Sequence, residues 1–280
     1  MSTLLLASDL DGTLLQSDGT VSPETREALA RARDSDLLVA FVTGRPPRWL
    51  HEVAEQTGHY GLAIGANGAV VYDLAEETVV DTDPLSSETV AAVTGALRDT
   101  FPSIAFGFEY GLDFGYEPDY KHDWEINPLA DKRGRTMPVP IVGPIDELVA
   151  RPVLKILAKW RSAPDPQQYM LDAVALLGDT ATVTRSSRGP LLEISAPGID
   201  KSTGLAHLAQ RRGIDRSAVA AVGDMPNDLA MLDWAGRGYA VANAHPDVRA
   251  VADEVLPETN DEHAVATLID RLLAGLPASS

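Results

Sequence analysis

Two aspartates two residues apart, Asp9 and Asp11, close an apolar run from Leu4 to Ala7 and lead directly into Gly12 and Thr13. A carboxylate delivered by a buried strand can attack a phosphorus atom, and a second one beside it can move the protons of the leaving oxygen and of water. Gly12 lets the backbone come close to phosphoryl oxygens, and Thr13 adds a hydroxyl in a turn able to present N–H groups to an anion. The same residues are also simply a good turn after a strand. Further along, Thr43-Gly44-Arg45 ends a second apolar run, Leu37 to Val42. Lys201 opens an apparent helix carrying Leu205 and Leu208, a start that the helix dipole makes slightly unfavourable for a cation. Asp224, Asn227 and Asp228 follow the apolar run Ala218 to Val222. If Pro226 opens a helix, that spacing sets Asn227 and Asp228 in its first turn, where oxygen ligands can converge on one hard cation. The plain alternative is an acidic helix N-terminus.

The elements that must position these residues alternate: strand Leu4 to Ser8, helix Pro23 to Asp34, strand Leu37 to Thr43, helix Arg48 to Thr57, then the apolar run Leu62 to Ile64. Such alternation predicts a parallel, doubly wound α/β sheet, with the site beyond the carboxyl ends of its strands. Only a helix and a strand fit between Asp9 and Thr43. The long interval from Thr43 to Lys201 holds a helix-like Ser86 to Arg98, short alternating strands and a helix-like Pro166 to Leu177. Leu191 to Ala196 reads as the strand that returns to the core.

Taken in order, Ser8 to Leu15, Thr43, Lys201 and Gly223 to Leu232 resemble the four motifs of the haloacid dehalogenase superfamily of phosphatases, and Ala66-Asn67-Gly68-Ala69 is similar to a signature of its Cof-like branch. The resemblance implies a Rossmann-like core over 1–83 and 188–280, with an α+β cap over 84–187 inserted as a lid that opens and closes over the site. It implies an Mg²⁺-dependent phosphomonoester hydrolase acting on small phosphorylated metabolites, sugar phosphates first, through an aspartyl-phosphate. Asp9 would be the nucleophile, Asp11 the acid and base, and Thr43 and Lys201 the groups binding the transferring phosphoryl. The metal would be held by the side chains of Asp9 and Asp224 and the carbonyl of Asp11, with waters fixed by Asp228. Leu10, Gly12, Gly44, Arg45, Asn67 and Asn227 would contact substrate. Met225-Pro226 departs from the glycine-rich turn of many relatives and leaves the carboxylates in place. The rival readings are a phosphotransferase of the phosphomutase type, a phosphatase specialised for a sugar-phosphoglycerate or disaccharide phosphate, and a non-catalytic binding protein on the same scaffold.

The formal charge of −18 argues against nucleic acid or anionic membranes as partners. No cysteine is present, so neither disulfides nor thiolate chemistry is available. The leucine run at the start is too short for a signal sequence and no segment is suited to crossing a membrane, which gives a cytoplasmic expectation, as monomer or homodimer. Seven of the sixteen aromatics lie between Phe106 and Trp124, among Glu109, Asp113, Glu117, Lys121 and His122. They can stack on a sugar, but the alternation of Phe106, Phe108, Phe114 and Tyr116 favours strand residues packed on cap helices. Arg188 and Glu193 flank the expected hinge. The basic cluster Asp131 to Arg135 reads as a solvated loop, and no second histidine stands at metal-ligand spacing beside His122 or His245.

Overall fold

Continuous apolar runs belong to strands covered on both faces, and the two that lead into Asp9 and Asp224 are buried throughout. The structure is a computed structural model that describes residues 5–120, 138–185 and 189–276. Its elements are β1 (Leu5–Ser8), α1 (Pro23–Arg33), β2 (Leu38–Val42), α2 (Leu50–Thr57), β3 (Leu62–Gly65), β4 (Val70–Asp73), β5 (Thr78–Thr82), α3 (Ser87–Thr100), β6 (Ala105–Glu109), β7 (Phe114–Tyr116), β8 (Ile141–Val142), α4 (Ile145–Leu148), β9 (Lys155–Lys159), α5 (Pro166–Leu177), β10 (Thr182–Thr184), β11 (Leu191–Ser195), α6 (Lys201–Arg211), β12 (Val219–Gly223), α7 (Leu229–Trp234), β13 (Arg237–Ala240), α8 (Pro246–Val251), β14 (Glu254–Val255) and α9 (Ala264–Ala274).

The chain divides into two compact units. One holds 1–45, 49–81 and 200–280, and the other 46–48 and 82–199. The first is built on a sheet ordered β14-β13-β12-β1-β2-β3-β4-β5. Its pairings are parallel from β14 to β3, with Ala7 opposite Ala40 and Ala221. The expected parallel sheet ends there. β4 runs antiparallel to β3, because only Ala66 to Ala69 separates them, and so short a connection can close a hairpin but not a parallel crossover. Helix starts follow their side-chain chemistry. Ser22 caps Thr25 before Pro23 in α1, and Asp200 caps Ser202 and Thr203 in α6, where Thr203 Oγ1 accepts from the Asp200 amide in return.

The second unit has a sheet ordered β10-β11-β9-β6-β7-β8. Here the sequence reading of Leu191 to Ala196 is corrected. Leu191–Ser195 pairs antiparallel with β9 and β10 instead of returning to the first sheet, so the boundary lies at 199/200, not 187/188. Phe106 and Phe108 pack with Val93 and Leu97 of α3 and Tyr169 and Ala173 of α5. Phe114 and Tyr116 are opposite Glu109 and Gly107, hence on the other face of the sheet, clustered with Tyr120. The charges among them are engaged within the unit: Glu117 accepts from Arg98 and from the Phe106 amide, Asp113 pairs with Arg151, and Glu109 is gripped by Arg48. Glu193, expected at a hinge, is buried in mid-strand beside Lys155 at 3.5 Å. Lys121, His122, Trp124, the cluster 131–135, Arg188 and the final residues 277–280 lie outside the described residues. Among the described residues no helix is long and apolar enough to cross a membrane.

Candidate active site

β1 ends between β12 and β2, and the Asp9 amide extends its pairing by donating to the Val222 carbonyl at 3.0 Å. This places the Asp9 carboxylate, almost wholly buried, at the carboxyl edge of the sheet. Lys201, the first residue of α6, is equally buried, and its Nζ donates to Asp9 Oδ1 and to Asp228 Oδ1 at 2.5 Å each. The other Asp228 oxygen accepts the amides of Asp224 and Met225, both at 3.0 Å. Asp228 therefore ties the turn after β12 to the lysine. Pro226 opens that turn as expected, as a 3₁₀ segment Pro226–Asp228 ahead of α7. Thr13 Oγ1 donates to Asp224 Oδ1 at 3.0 Å. Gly12, at φ +80°, lies so close that a Cβ would stand 2.5 Å from Asp224 Oδ2, so the loop needs glycine for both its backbone and its contact.

Thr43 follows β2. Its hydroxyl oxygen accepts the Arg45 amide at 3.1 Å, which leaves the O–H as a donor for another group. Gly44 sits between them in this loop. The Arg45 guanidinium forks onto the exposed carboxylate of Asp11, Nε to Oδ2 at 2.8 Å and Nη2 to Oδ1. Leu10 is buried, and what it turns toward the loop is its carbonyl, which accepts from Thr13 and Leu15. Asn67, also buried, accepts from Asn227 Nδ2 at 3.3 Å, and its amide donates to the Thr43 carbonyl at 3.0 Å. These two asparagines, expected as substrate contacts, join the β3–β4 turn to the turn after β12.

Sequence reasoning missed Asn243 and Asn260. Asn243 Nδ2 donates to the Gly12 carbonyl at 2.8 Å and its Oδ1 accepts the Asn260 amide at 2.9 Å, while Asn260 Nδ2 donates to the Leu15 carbonyl at 2.9 Å. Together they hold the loop that carries Asp9 and Asp11. A signal existed, since Asn243 follows the apolar run Tyr239 to Val241 as Thr43 follows its own. His245 caps α8 through Nδ1, an ordinary polar role.

The cluster is short of positive charge. Burial pushes the Asp9 carboxyl well above the usual range, Lys201 opposes the shift, and Asp228 and Asp224 add to it. Burial and Asp228 raise Asp224 to about 7, against Thr13 and Lys201. For Lys201 burial favours the neutral amine, but Asp228 and Asp9 outweigh it and hold the ammonium. Carboxylate oxygens of Asp9, Asp224 and Asp228 lie within 4.8 Å of one another. Three hard oxygen donors facing one ammonium fit a hard divalent cation, with Asp9 and Asp224 the freer ligands because Asp228 is committed on both oxygens.

A family model described as haloacid dehalogenase-like hydrolase matches residues 6–269. The chain belongs to that family. It is an α/β phosphatase with an inserted α+β cap. The phosphatase is 28% identical to the 5-amino-6-(5-phospho-D-ribitylamino)uracil phosphatase YcsE of Bacillus subtilis, over 95% of this chain and 94% of the relative. It is also 28% identical to the pyridoxal phosphate phosphatase YbhA of Escherichia coli, over 98% and 100%. A solved haloacid dehalogenase-like hydrolase from B. subtilis superposes with a TM-score of 0.81 at 26% identity, over 96% of this chain and 100% of that one. The subclass IIB sugar phosphatase BT4131 gives 0.78 at 21% identity, over 96% and 98%, a likeness of fold.

Proposed function

We propose that this phosphatase hydrolyses small phosphomonoesters of primary alcohols, sugar phosphates among them, with Mg²⁺ and through an aspartyl-phosphate on Asp9. The reading is carried by the convergence of Asp9, Lys201, Asp224 and Asp228, from three separate stretches of the sequence, at one edge of one sheet. The esters in the names of YcsE and YbhA are borne on primary carbons, and a primary alkoxide needs a proton to depart.

Asp9 attacks phosphorus, and the bond to the ester oxygen breaks as Asp11 gives that oxygen its proton. Water then attacks phosphorus and passes a proton to Asp11, and the bond to Asp9 breaks to release inorganic phosphate. Lys201 and the Thr43 hydroxyl hold the oxygens of the transferring group, since this chemistry mostly needs positioning and charge stabilisation. Asp9, Asp224 and the Asp11 carbonyl would hold Mg²⁺, and Asp228 would fix the surrounding water. The bound ion offsets the negative charge that keeps a phosphate dianion away from carboxylates.

The test is phosphate release from sugar phosphates, nucleotides and an aryl phosphate, with Mg²⁺ or EDTA, for wild type and Asp9→Asn. Turnover that requires Mg²⁺ and falls at least about a thousandfold in the variant is expected. Turnover indifferent to either change would sink the mechanism, and none on any ester would favour a phosphotransferase or a binding protein.

A further inference from the structure

Arg45, in the loop after β2, and Asp11, in the loop after β1, form an ion pair at the mouth of the site. A lone surface pair contributes little, because two long side chains must be held in one geometry against solvent. This one differs in three respects. The guanidinium meets the carboxylate as a two-pronged fork, which fixes orientation as well as distance. The arginine side chain is 24% exposed and the aspartate 59%, so the cation is the anchored partner and the carboxylate the one that would otherwise sample rotamers. Finally, the Arg45 backbone is pinned on both sides, its amide to Thr43 Oγ1 and its carbonyl to the Ala66 amide at 3.0 Å. No other side chain among the described residues bonds the Asp11 carboxylate.

We propose that Arg45 is a positioning residue for Asp11, acting through that carboxylate and not on the phosphoryl group. The proposal rests on reading Asp11 as the group that exchanges protons with the ester oxygen and water. Placing a reacting group matters steeply, since an error of about 1 Å can cost on the order of a hundredfold in rate. The two roles open to Arg45 make different demands. A cation on the phosphoryl group would assist every phosphomonoester alike, because that group is the same in all of them. A residue that places Asp11 assists in proportion to the need of the departing oxygen for a proton.

The experiment compares kcat/KM of wild type, Arg45→Ala, Arg45→Lys, Asp11→Asn and the Asp11→Asn/Arg45→Ala double variant on glucose 6-phosphate and on p-nitrophenyl phosphate. The aryl oxygen leaves as a stable anion and the sugar oxygen does not. Arg45→Ala is expected to lose at least about tenfold more on the sugar ester than on the aryl ester. Arg45→Lys, which keeps the charge and loses the fork, retains the imbalance. In the Asp11→Asn background, removing Arg45 costs nothing further on the sugar ester. Equal losses on both esters, recovery of both by lysine, or additive losses in the double variant would overturn the proposal while leaving the hydrolase reading intact. Absence of Mg²⁺-dependent turnover in the wild type would take down that reading and this proposal with it. A melting curve for each variant establishes folding, and Arg45→Lys carries the comparison if the alanine variant does not fold.

Discussion

At the scale of single residues the site is a problem of charge: three buried carboxylates share one ammonium, and a proton resolves part of the excess. Asp224 moves from its ordinary 3.8 to about 7, and Asp9 moves the same way. A carboxyl that keeps its proton when folded and sheds it when unfolded makes the folded state bind more protons across that window. Stability contributed by these groups is therefore lost as pH rises from about 4 to about 7, and stays lost above it. Asp18, Asp215 and Asp261, whose hydroxyl and amide donors from Ser or Thr lower them, act in the opposite sense only below that window. In EDTA, the melting temperature should fall by several degrees between about pH 5.5 and about pH 8. Asp224→Asn should flatten the slope. Mg²⁺ should raise melting more at the higher pH, because its ligands must be ionised. In EDTA, a pH slope left unchanged by Asp224→Asn would show that burial does not raise that carboxyl; the slope of the wild type alone does not decide it, since burial lowers His59 and adds stability as pH rises through the same range. The identities of the charged residues were legible because each ends an apolar run or opens a helix. Their pairing was not: Asp228 reads as a neighbour of Asp224, yet one of its two oxygens is spent on Lys201, which no spacing reveals.

Among elements, the Ala66–Gly68 turn does more than close the β3–β4 hairpin. Ala66, Asn67 and Gly68 all have positive φ, a conformation costly for residues with a Cβ, and the turn bonds to the loop after β2 and packs at the start of α6. A Cβ on Gly68 would stand 1.9 Å from the Asp200 carbonyl, on the backbone of the residue that precedes Lys201 and caps its helix. Gly68→Ala should therefore destabilise by about 2–4 kcal/mol and abolish turnover, as read by denaturant melts and phosphate release. Gly19→Ala isolates the backbone part, since Gly19 shares the positive φ and has nothing within 4 Å. It should cost about 1 kcal/mol and spare turnover. If the two variants behave alike, the contact with Asp200 is not what holds the lysine. Elements such as α1, α5 and the strands before Asp9, Thr43 and Asp224 were legible from caps and apolar runs. β11 was misplaced because Leu191 to Ala196 is apolar whichever sheet it joins, and the choice rests on pairing with Lys155–Lys159, a long-range fact. Asn243 and Asn260 escaped for the same reason, bonding residues more than two hundred positions away.

For the whole molecule, the separation of its two cores sets how it should unfold. The first centres on β1, β2 and β12 with α1, α6 and α9 around them, and the second on β6 and β9 under α3 and α5. All three clustered carboxylates and Lys201 belong to the first unit, and the second carries its own buried pairs, Arg48 with Glu109 and Lys155 with Glu193. A cation that binds only one folded unit stabilises that unit by mass action, and a unit without ligands gains only what is transmitted to it. Calorimetry of the intact chain should resolve two transitions, of which Mg²⁺ raises one and leaves the other within about 1 °C. Lys155→Met, which removes the ammonium 3.5 Å from Glu193, should lower the second transition and not the first, because breaking a buried ion pair from one side costs about 3–5 kcal/mol. A single transition that moves as a whole with either change would mean that the units unfold together, and that stability passes between them despite separate cores.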